Sequence, residues 1–247
     1  MKDDHVPSLG LRYWAVFMIA SAFSSNAGDI LAERPLLGHT GDMLVLAAAL
    51  VAIFRGERYD KSKTDIWYWM AVTVIQTLAE LLAENSVGNL GFTRAVLFAS
   101  LAALLVTILV AARSSATLFI SAHMLSRPGA AAKPMSDAIH WAAMVVASAF
   151  GSVAGDFMVV GLGVGALRSS VIFVPLMAAV LCLWRLSWTN RLLVYWLTIS
   201  VICASGTVVA DLLATDPRLS LGLPLSAVLN GAILVALLPW RQSRPSA

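Results

Sequence analysis

The chain has 247 residues, of which 59% are hydrophobic and only 13% are charged, and its mean hydropathy is +0.81. A soluble domain carries roughly 25% charged residues and could not bury so much apolar surface. The composition therefore excludes a disordered chain, a disulfide scaffold and a nucleic-acid-binding arm, although the net charge is +3. It predicts an all-α membrane protein with room for roughly eight spans of about 20 residues each.

Four apolar segments share one sequence frame. Each begins with tyrosine or histidine followed by tryptophan, and each has an acid 15 positions after that tryptophan. The acids are 55 residues apart within each half of the chain, and the two halves are offset by 127 residues. We interpret the chain as a tandem duplication of a half that is itself a duplication. The four segments are 13–29, 68–84, 140–156 and 195–211.

A second apolar run follows each segment after a turn that contains glycine or proline. These runs cover 42–54, 93–112, 167–184 and 223–240, and we expect the short first run to be tilted or only partly spanning. Four two-helix units predict eight transmembrane helices in parallel repeats, because each unit has an even number of spans. Residues 1–112 then form the first half with units 1 and 2, 113–137 a cytoplasmic linker, and 138–247 the second half with units 3 and 4.

Charge sets the expected orientation. The loops next to the tryptophan ends carry 13 of the 17 lysines and arginines. The positive-inside rule therefore places these ends and both termini in the cytoplasm, with the chain in a bacterial inner membrane. We expect the Tyr-Trp pairs to form an aromatic belt at the inner interface, with His140 as an interfacial residue and not a haem ligand. Because segment 13–29 belongs to the repeat, we expect it to be a retained span and not a cleaved signal.

A polar stripe runs along each repeated segment, with polar residues four positions apart and therefore on one helical face. Small residues flank the stripe and would let the helices approach closely in lipid. Four such helices in a ring would bring their carboxylates together. The acids are Asp29, Glu84, Asp156 and Asp211; one turn earlier lie Ser25, Glu80, Ser152 and Thr207; one further turn back lie Ser21, Gln76, Ser148 and Cys203.

Carboxylate and hydroxyl oxygens are hard ligands that suit manganese, calcium or magnesium. Carboxylates that share a site also compete to lose their protons, so protons can take the place of a cation. The pattern predicts a small transporter, with proton-coupled efflux of a hard divalent ion such as manganese. The expected metal ligands are Asp29, Glu84, Asp156 and Asp211, helped by Glu80, Ser25, Ser152 and Thr207.

A second interpretation stays open. Each unit has an arginine beyond its acid, and these arginines would form structural ion pairs with the acids at the outer surface. The chain would then be a membrane scaffold or accessory subunit that binds another membrane protein. The arginines are Arg34, Arg94, Arg168 and Arg218.

The remaining candidates are weaker. Without a nucleophile elbow, Walker loop, dinucleotide loop or H-E-x-x-H motif, we expect no enzyme. The expected partners are lipid, a small cation and protons, with a homo-oligomer or membrane-protein partner left open and no nucleic acid.

Single polar residues outside the stripe have simpler expected roles. We expect Glu33, Asp42 and Asp216 to be solvated loop acids, and Cys182 and Cys203 to be core residues. We expect Asn26 to add a ligand oxygen and Asn230 to form a hydrogen bond across the bundle.

The fourth segment carries a family resemblance. Its stretch 205–213, Ser-Gly-Thr-Val-Val-Ala-Asp-Leu-Leu, resembles the repeat T-x-x-G-E/T-x-x-x-D-x-L of an uncharacterised family of bacterial multi-pass proteins labelled "membrane-anchored protein". The resemblance extends through the four units and implies a bacterial inner-membrane protein without a defined function. The Ala-Gly-Asp triplets at 27–29 and 154–156 are also similar to part of the motif of calcium/manganese–proton exchangers, as an analogy of chemistry.

Overall fold

A computed structural model describes residues 5–61, 64–114, 138–185, 191–219 and 221–238. The described residues form eight α-helices, so the prediction of an all-helical chain is confirmed for them. A five-residue π-helical segment, Phe157–Gly161, extends the fifth helix. The helices are α1 (Leu11–Glu33), α2 (His39–Tyr59), α3 (Ile66–Gly88), α4 (Arg94–Ser114), α5 (Ala138–Asp156), α6 (Ala166–Arg185), α7 (Arg191–Thr215) and α8 (Gly222–Leu237).

Seven of these helices are long and apolar enough to cross a membrane, and α8, at 16 residues, is shorter. The expectation that the run at 42–54 is the short one is wrong. Helix α2 has 21 residues and continues through the charged stretch up to Tyr59. Within this stretch Glu57 is buried beside His5, with 3.9 Å between Nε2 of His5 and Oε1 of Glu57. Most of the linker 113–137 and the tail from Arg241 lie outside the described residues.

Helices α1, α3, α5 and α7 form a closed ring in which each packs against the next and α7 packs against α1. The other four lie outside this ring: α2 packs on α3, α4 on α5, α6 on α7, and α8 on α1. Each of α2, α4 and α6 therefore mainly covers the inner helix that comes next in the chain, and α8 covers the first inner helix, α1. In the apolar stretches of the inner helices 50% to 72% of residues are buried, against 6% to 17% in α2, α4 and α6.

The four inner helices run in the same direction. At their amino-terminal ends the hydroxyl oxygen of Tyr13 lies 2.6 Å from that of Tyr68 and 3.4 Å from that of Tyr195. The ring of His140 lies 6.0 Å from that of Tyr195. We call this region the aromatic end: Tyr13, Tyr68, His140 and Tyr195 with the tryptophans that follow them, Trp14, Trp69, Trp141 and Trp196.

The expected aromatic belt is wrong in its orientation. All eight side chains of the aromatic end are buried, and His140 is 0% exposed, so it is not an interfacial residue. Their rings pack against one another, mostly edge-on or tilted, as in the 4.8 Å contact between Tyr13 and Trp14. Where four helices converge, large rings fill the space between the backbones. The aromatic residues therefore plug one end of the bundle.

Close contacts between the inner helices depend on small residues, as the sequence predicts. A Cβ atom added to Gly28 on α1 would lie 2.6 Å from Cβ of Glu80 on α3. One added to Gly206 on α7 would lie 2.5 Å from Oγ of Ser21 on α1. Side chains larger than hydrogen at these two positions would force the helices apart.

Candidate functional site

Three carboxyl groups meet where α3 packs against α5. Glu80, Glu84 and Asp156 each offer one carboxylate oxygen, and these atoms all lie within 4.8 Å of one another. Glu80 and Glu84 are one helical turn apart on α3, so they face the same neighbour, and Asp156 is the last residue of α5. Glu80 is only 2% exposed, whereas the other two are at least partly buried.

The spacing of these oxygens suits a hard cation. Three oxygens that lie within 4.8 Å of one another can reach one bound ion with small movements of their side chains. Calcium and magnesium are both bound through oxygen ligands, calcium at about 2.3–2.6 Å and magnesium at about 2.0–2.1 Å.

Two more acids complete the group from the remaining inner helices. Asp29 on α1 lies within electrostatic reach of Asp211 and Glu84, and Asp156 lies within reach of both Asp29 and Asp211. The structure thus brings all the sequence-predicted acids to one end of the bundle. We call this group the acid cluster: Asp29, Glu80, Glu84, Asp156 and Asp211.

Neutral oxygens lie beside the acid cluster. Ser152 forms a side-chain hydrogen bond with Glu80. Ser25 and Thr207 are 2% and 1% exposed, and their hydroxyl oxygens have no hydrogen-bond partner among the described residues. They sit one turn before Asp29 and Asp211 on the same helical faces. Buried polar atoms normally find a partner, so these hydroxyls are suited to a bound ion or ordered water.

A second polar layer lies one turn deeper. Nε2 of Gln76 lies 3.6 Å from Sγ of Cys203, and Oγ of Ser21 donates to the Cys203 carbonyl at 3.3 Å. Oε1 of Gln76 and Oγ of Ser148 are buried and have no hydrogen-bond partner among the described residues. The sequence placed these residues on the stripe but not among the proposed ligands. They extend the polar surface from the acid cluster into the middle of the bundle.

An apolar layer ends the stripe. One turn further towards the aromatic end, all four inner helices carry an apolar side chain that is 0% exposed. We call this the apolar layer: Phe17, Val72, Met144 and Ile199. Together with the aromatic end, it separates the polar layers from the opposite side of the bundle.

One arginine reaches the acid cluster. Nη2 of Arg94, at the start of α4, lies 3.7 Å from Oε1 of Glu84. Its charge also acts on Asp156 and Asp211. The other three arginines that the sequence offered as partners are exposed, and in the described part of the chain none of them forms an ion pair with the acid cluster: Arg34, Arg168 and Arg218.

Asp42 is not a solvated loop acid. It is 4% exposed, and its carboxylate accepts hydrogen bonds from the backbone N–H groups of Leu36 and Leu37 at 2.9 and 3.1 Å. It holds the turn before α2, which is a structural role. Glu33 is exposed, as expected. Cys182 is exposed and Cys203 buried, so only Cys203 fits the expected core position.

A polar contact joins α1 to α8. Nδ2 of Asn26 donates to Oγ of Ser226 at 2.8 Å, and its Oδ1 has no partner among the described residues. Asn230, one turn further along α8, is 2% exposed, and its Nδ2 finds no partner in the same part of the chain. Ser226 was not predicted from the sequence, although Ser226 and Asn230 are polar residues four positions apart in an apolar helix.

Comparison with known proteins adds one finding. No curated protein and no solved structure matches the chain. Residues 139–189 match a family described as a Repeat of Unknown Function (DUF347). The match begins one residue before His140 and covers α5, the π-helical segment and α6. Over this segment the chain is therefore similar to an uncharacterised family that is built from repeats.

Proposed function

We propose that this protein is a small cation transporter that exchanges a hard divalent ion, such as manganese, for protons. The observation that carries the proposal is the trio of carboxylate oxygens from Glu80, Glu84 and Asp156, within 4.8 Å of one another inside an apolar bundle. Oxygen-rich sites of this kind take up hard cations. Calcium and magnesium are the other candidates, because both prefer oxygen ligands.

The charge balance of the site supports the binding of a cation or of protons. The acid cluster has five carboxyl groups and, among the described residues, the guanidinium of Arg94 is the one cation paired with it. Ionised groups at membrane depth are costly unless they have a partner. Protons or a divalent cation would neutralise the rest, and because both compete for the same oxygens, binding of one would release the other.

The layers of the bundle support a transport path with one closed side. The polar stripe connects the acid cluster to the Gln76 and Cys203 layer, and the apolar layer and aromatic end then block it. In the proposed topology the chain lies in a bacterial inner membrane with cytoplasmic termini, so the acid cluster faces outward and the closed side faces the cytoplasm. Efflux would then need the inner helices to separate at the aromatic end.

The four-unit repeat fits this proposal. We infer that the chain crosses the membrane eight times as four parallel two-helix units, with α8 as the short last span. The ring of inner helices, in which each outer helix covers the next inner one, is what a pseudo-fourfold arrangement of such units would give. It would also explain why every unit contributes an acid to the same end of the bundle.

The test is transport by purified protein in liposomes. With manganese outside, a metal-sensitive dye inside and an imposed pH difference, we expect manganese flux coupled to proton movement in the opposite direction. Asp156→Asn should abolish both. Asp216→Asn is the matched control, because Asp216 lies just beyond the carboxyl end of α7 and its Oδ1 accepts a hydrogen bond from the backbone N–H of Arg218, which asparagine can also accept. Full transport by Asp156→Asn would contradict the site assignment.

The ion pair between Arg94 and Glu84 favours a second candidate, a membrane scaffold with structural ion pairs. In that case Glu84→Gln should lower stability or partner binding, and neither the variant nor the natural protein should move ions. One arginine beside five acids is a poor match for a purely structural network, which is why we favour transport.

A further inference from the structure

Arg94 is held loosely at the edge of the acid cluster. Its Nη2 lies 3.7 Å from Glu84 Oε1, beyond the range of a good hydrogen bond, and its side chain is 28% exposed. Its Nε is buried and has no hydrogen-bond partner among the described residues. The pair with Glu84 is therefore an electrostatic contact without the bidentate geometry that makes arginine–carboxylate pairs strong.

The position of Arg94 on its helix also works against a structural role. It is the first residue of α4, and Thr93 caps this helix by accepting a hydrogen bond from the N–H of Val96 at 3.3 Å. The amino-terminal end of a helix carries partial positive charge, so a cation there is unfavourable. What holds Arg94 in place is the negative charge of Glu84, Asp156 and Asp211.

A bound divalent cation would remove that attraction. Glu84 is one of the three residues whose oxygens lie within 4.8 Å, and it is also the residue that Arg94 contacts. A guanidinium and a divalent ion on the same carboxylate would repel each other strongly in a site partly shielded from water. The arginine side chain is long and already 28% exposed, so its guanidinium can move away from Glu84.

Building on the proposed function, we propose that Arg94 is a tethered competitor of the transported cation. It occupies the outer side of the acid cluster when no metal is bound and is displaced when the metal enters. By favouring the metal-free state it lowers the affinity for the ion and promotes release. Arg94 is thus a residue that sets affinity and turnover. The hydroxyls of Ser25 and Thr207, which have no hydrogen-bond partner among the described residues, would gain one when the metal is bound.

The experiment is a manganese titration of the purified full-length protein by calorimetry at low salt. Arg94→Gln removes the competing charge and should tighten manganese binding by about five- to tenfold, the size of a typical coupling between two ligands. Arg94→Lys keeps the charge and should bind like the natural protein. Arg168→Gln is the matched control, because Arg168 is an exposed arginine near the start of α6, the equivalent outer helix of the next unit. It should leave the affinity unchanged.

The outcomes separate this inference from the proposed function. Weaker or unchanged manganese binding by Arg94→Gln, with normal binding by the natural protein, would overturn the competitor role and leave the cation site standing. If neither protein binds manganese, both proposals fail. Should Arg94→Gln fold poorly, Arg94→Met provides a second neutral variant with a long side chain, and tighter binding by it would support the competitor role equally.

Discussion

The two ends of the inner helices are built from equivalent positions of the four repeated segments, and they differ in the kind of side chain that they bury: uncharged rings at one end and carboxylates at the other. At the aromatic end, rings pack on rings and the Tyr13 and Tyr68 hydroxyls lie 2.6 Å apart. At the acid end, three carboxylate oxygens crowd within 4.8 Å and buried hydroxyls have no partner among the described residues.

The difference shows how stability and function are divided along the same helices. The aromatic end gains free energy from burial and ring contacts, so substitutions there should cost stability. The acid end crowds carboxylates together, which destabilises the ligand-free fold and reserves binding free energy for a ligand. Variants at the aromatic end should therefore lower the free energy of unfolding, whereas variants at the acid end should lower the affinity for a cation.

The largest effect is expected in the apolar layer. Phe17→Ala removes a ring that is 0% exposed and lies 5.9 Å from the ring of Tyr13. Deleting such a side chain costs about 3–5 kcal/mol of unfolding free energy. Denaturant unfolding in detergent should show this loss, while the manganese affinity of the protein that remains folded should not change. Loss of manganese affinity with little loss of stability would break the division between the two ends.

Glu80→Gln should have the opposite signature. It removes a carboxylate that is 2% exposed and surrounded by other acids, so the ligand-free protein should be at least as stable as before. Manganese should bind at least tenfold more weakly, because one of three close oxygen ligands loses its charge. This corresponds to a loss of about 1.4 kcal/mol of binding free energy. Calorimetry measures the affinity and thermal unfolding the stability. A less stable protein with intact manganese binding would show that Glu80 is structural.

A smaller effect is expected where the helices touch near the acid cluster. Gly28→Ala places a methyl group 2.6 Å from Cβ and Cγ of Glu80, so α1 and α3 must move apart. Such overpacking costs about 1–3 kcal/mol, and the shift of Glu80 should also weaken manganese binding. Gly10→Ala is the control, because nothing lies within 4 Å of an added Cβ there. If both variants bind manganese like the natural protein, the close contact does not shape the site.

The smallest effect is expected from Tyr13→Phe. This change removes the 2.6 Å hydrogen bond with Tyr68 but keeps the ring contacts. A net loss of about 0.5–1.5 kcal/mol of unfolding free energy should follow, with manganese binding unaffected. Chemical denaturation of the variant and the natural protein under the same conditions measures it. Reduced manganese affinity in this variant would mean that the two ends are coupled.

The sequence predicted the acid cluster because the stripe has a strict period. Positions four residues apart on a helix must share a face, and four equivalent helices leave few ways to bury that face. The same four-residue spacing identified Ser25 and Thr207 as members of the stripe and Gly28 as one of the small residues beside it. These predictions needed no knowledge of how the helices are ordered around the ring.

Other features depended on packing that the sequence does not encode locally. Tyr and Trp suit both a membrane interface and a crowded core, so the pattern could not decide between an outward belt and an inward plug. The charged stretch around Glu57 looked like a loop, but α2 continues through it and Glu57 is buried beside His5. Which arginine reaches the acids depends on α4 packing against α5, a contact between different units.

The most direct test of the account is the stabilisation of the purified protein by metal, measured by thermal unfolding with manganese, calcium, magnesium and zinc at pH 6 and pH 8. A ligand that binds only the folded state raises its stability, by about 2.7 kcal/mol at 100 times the dissociation constant. We predict a shift selective for hard cations that is larger at pH 8, because fewer protons then compete for the carboxylates, and that disappears in Asp156→Asn. No shift with any metal at either pH would contradict a cation site in the acid cluster.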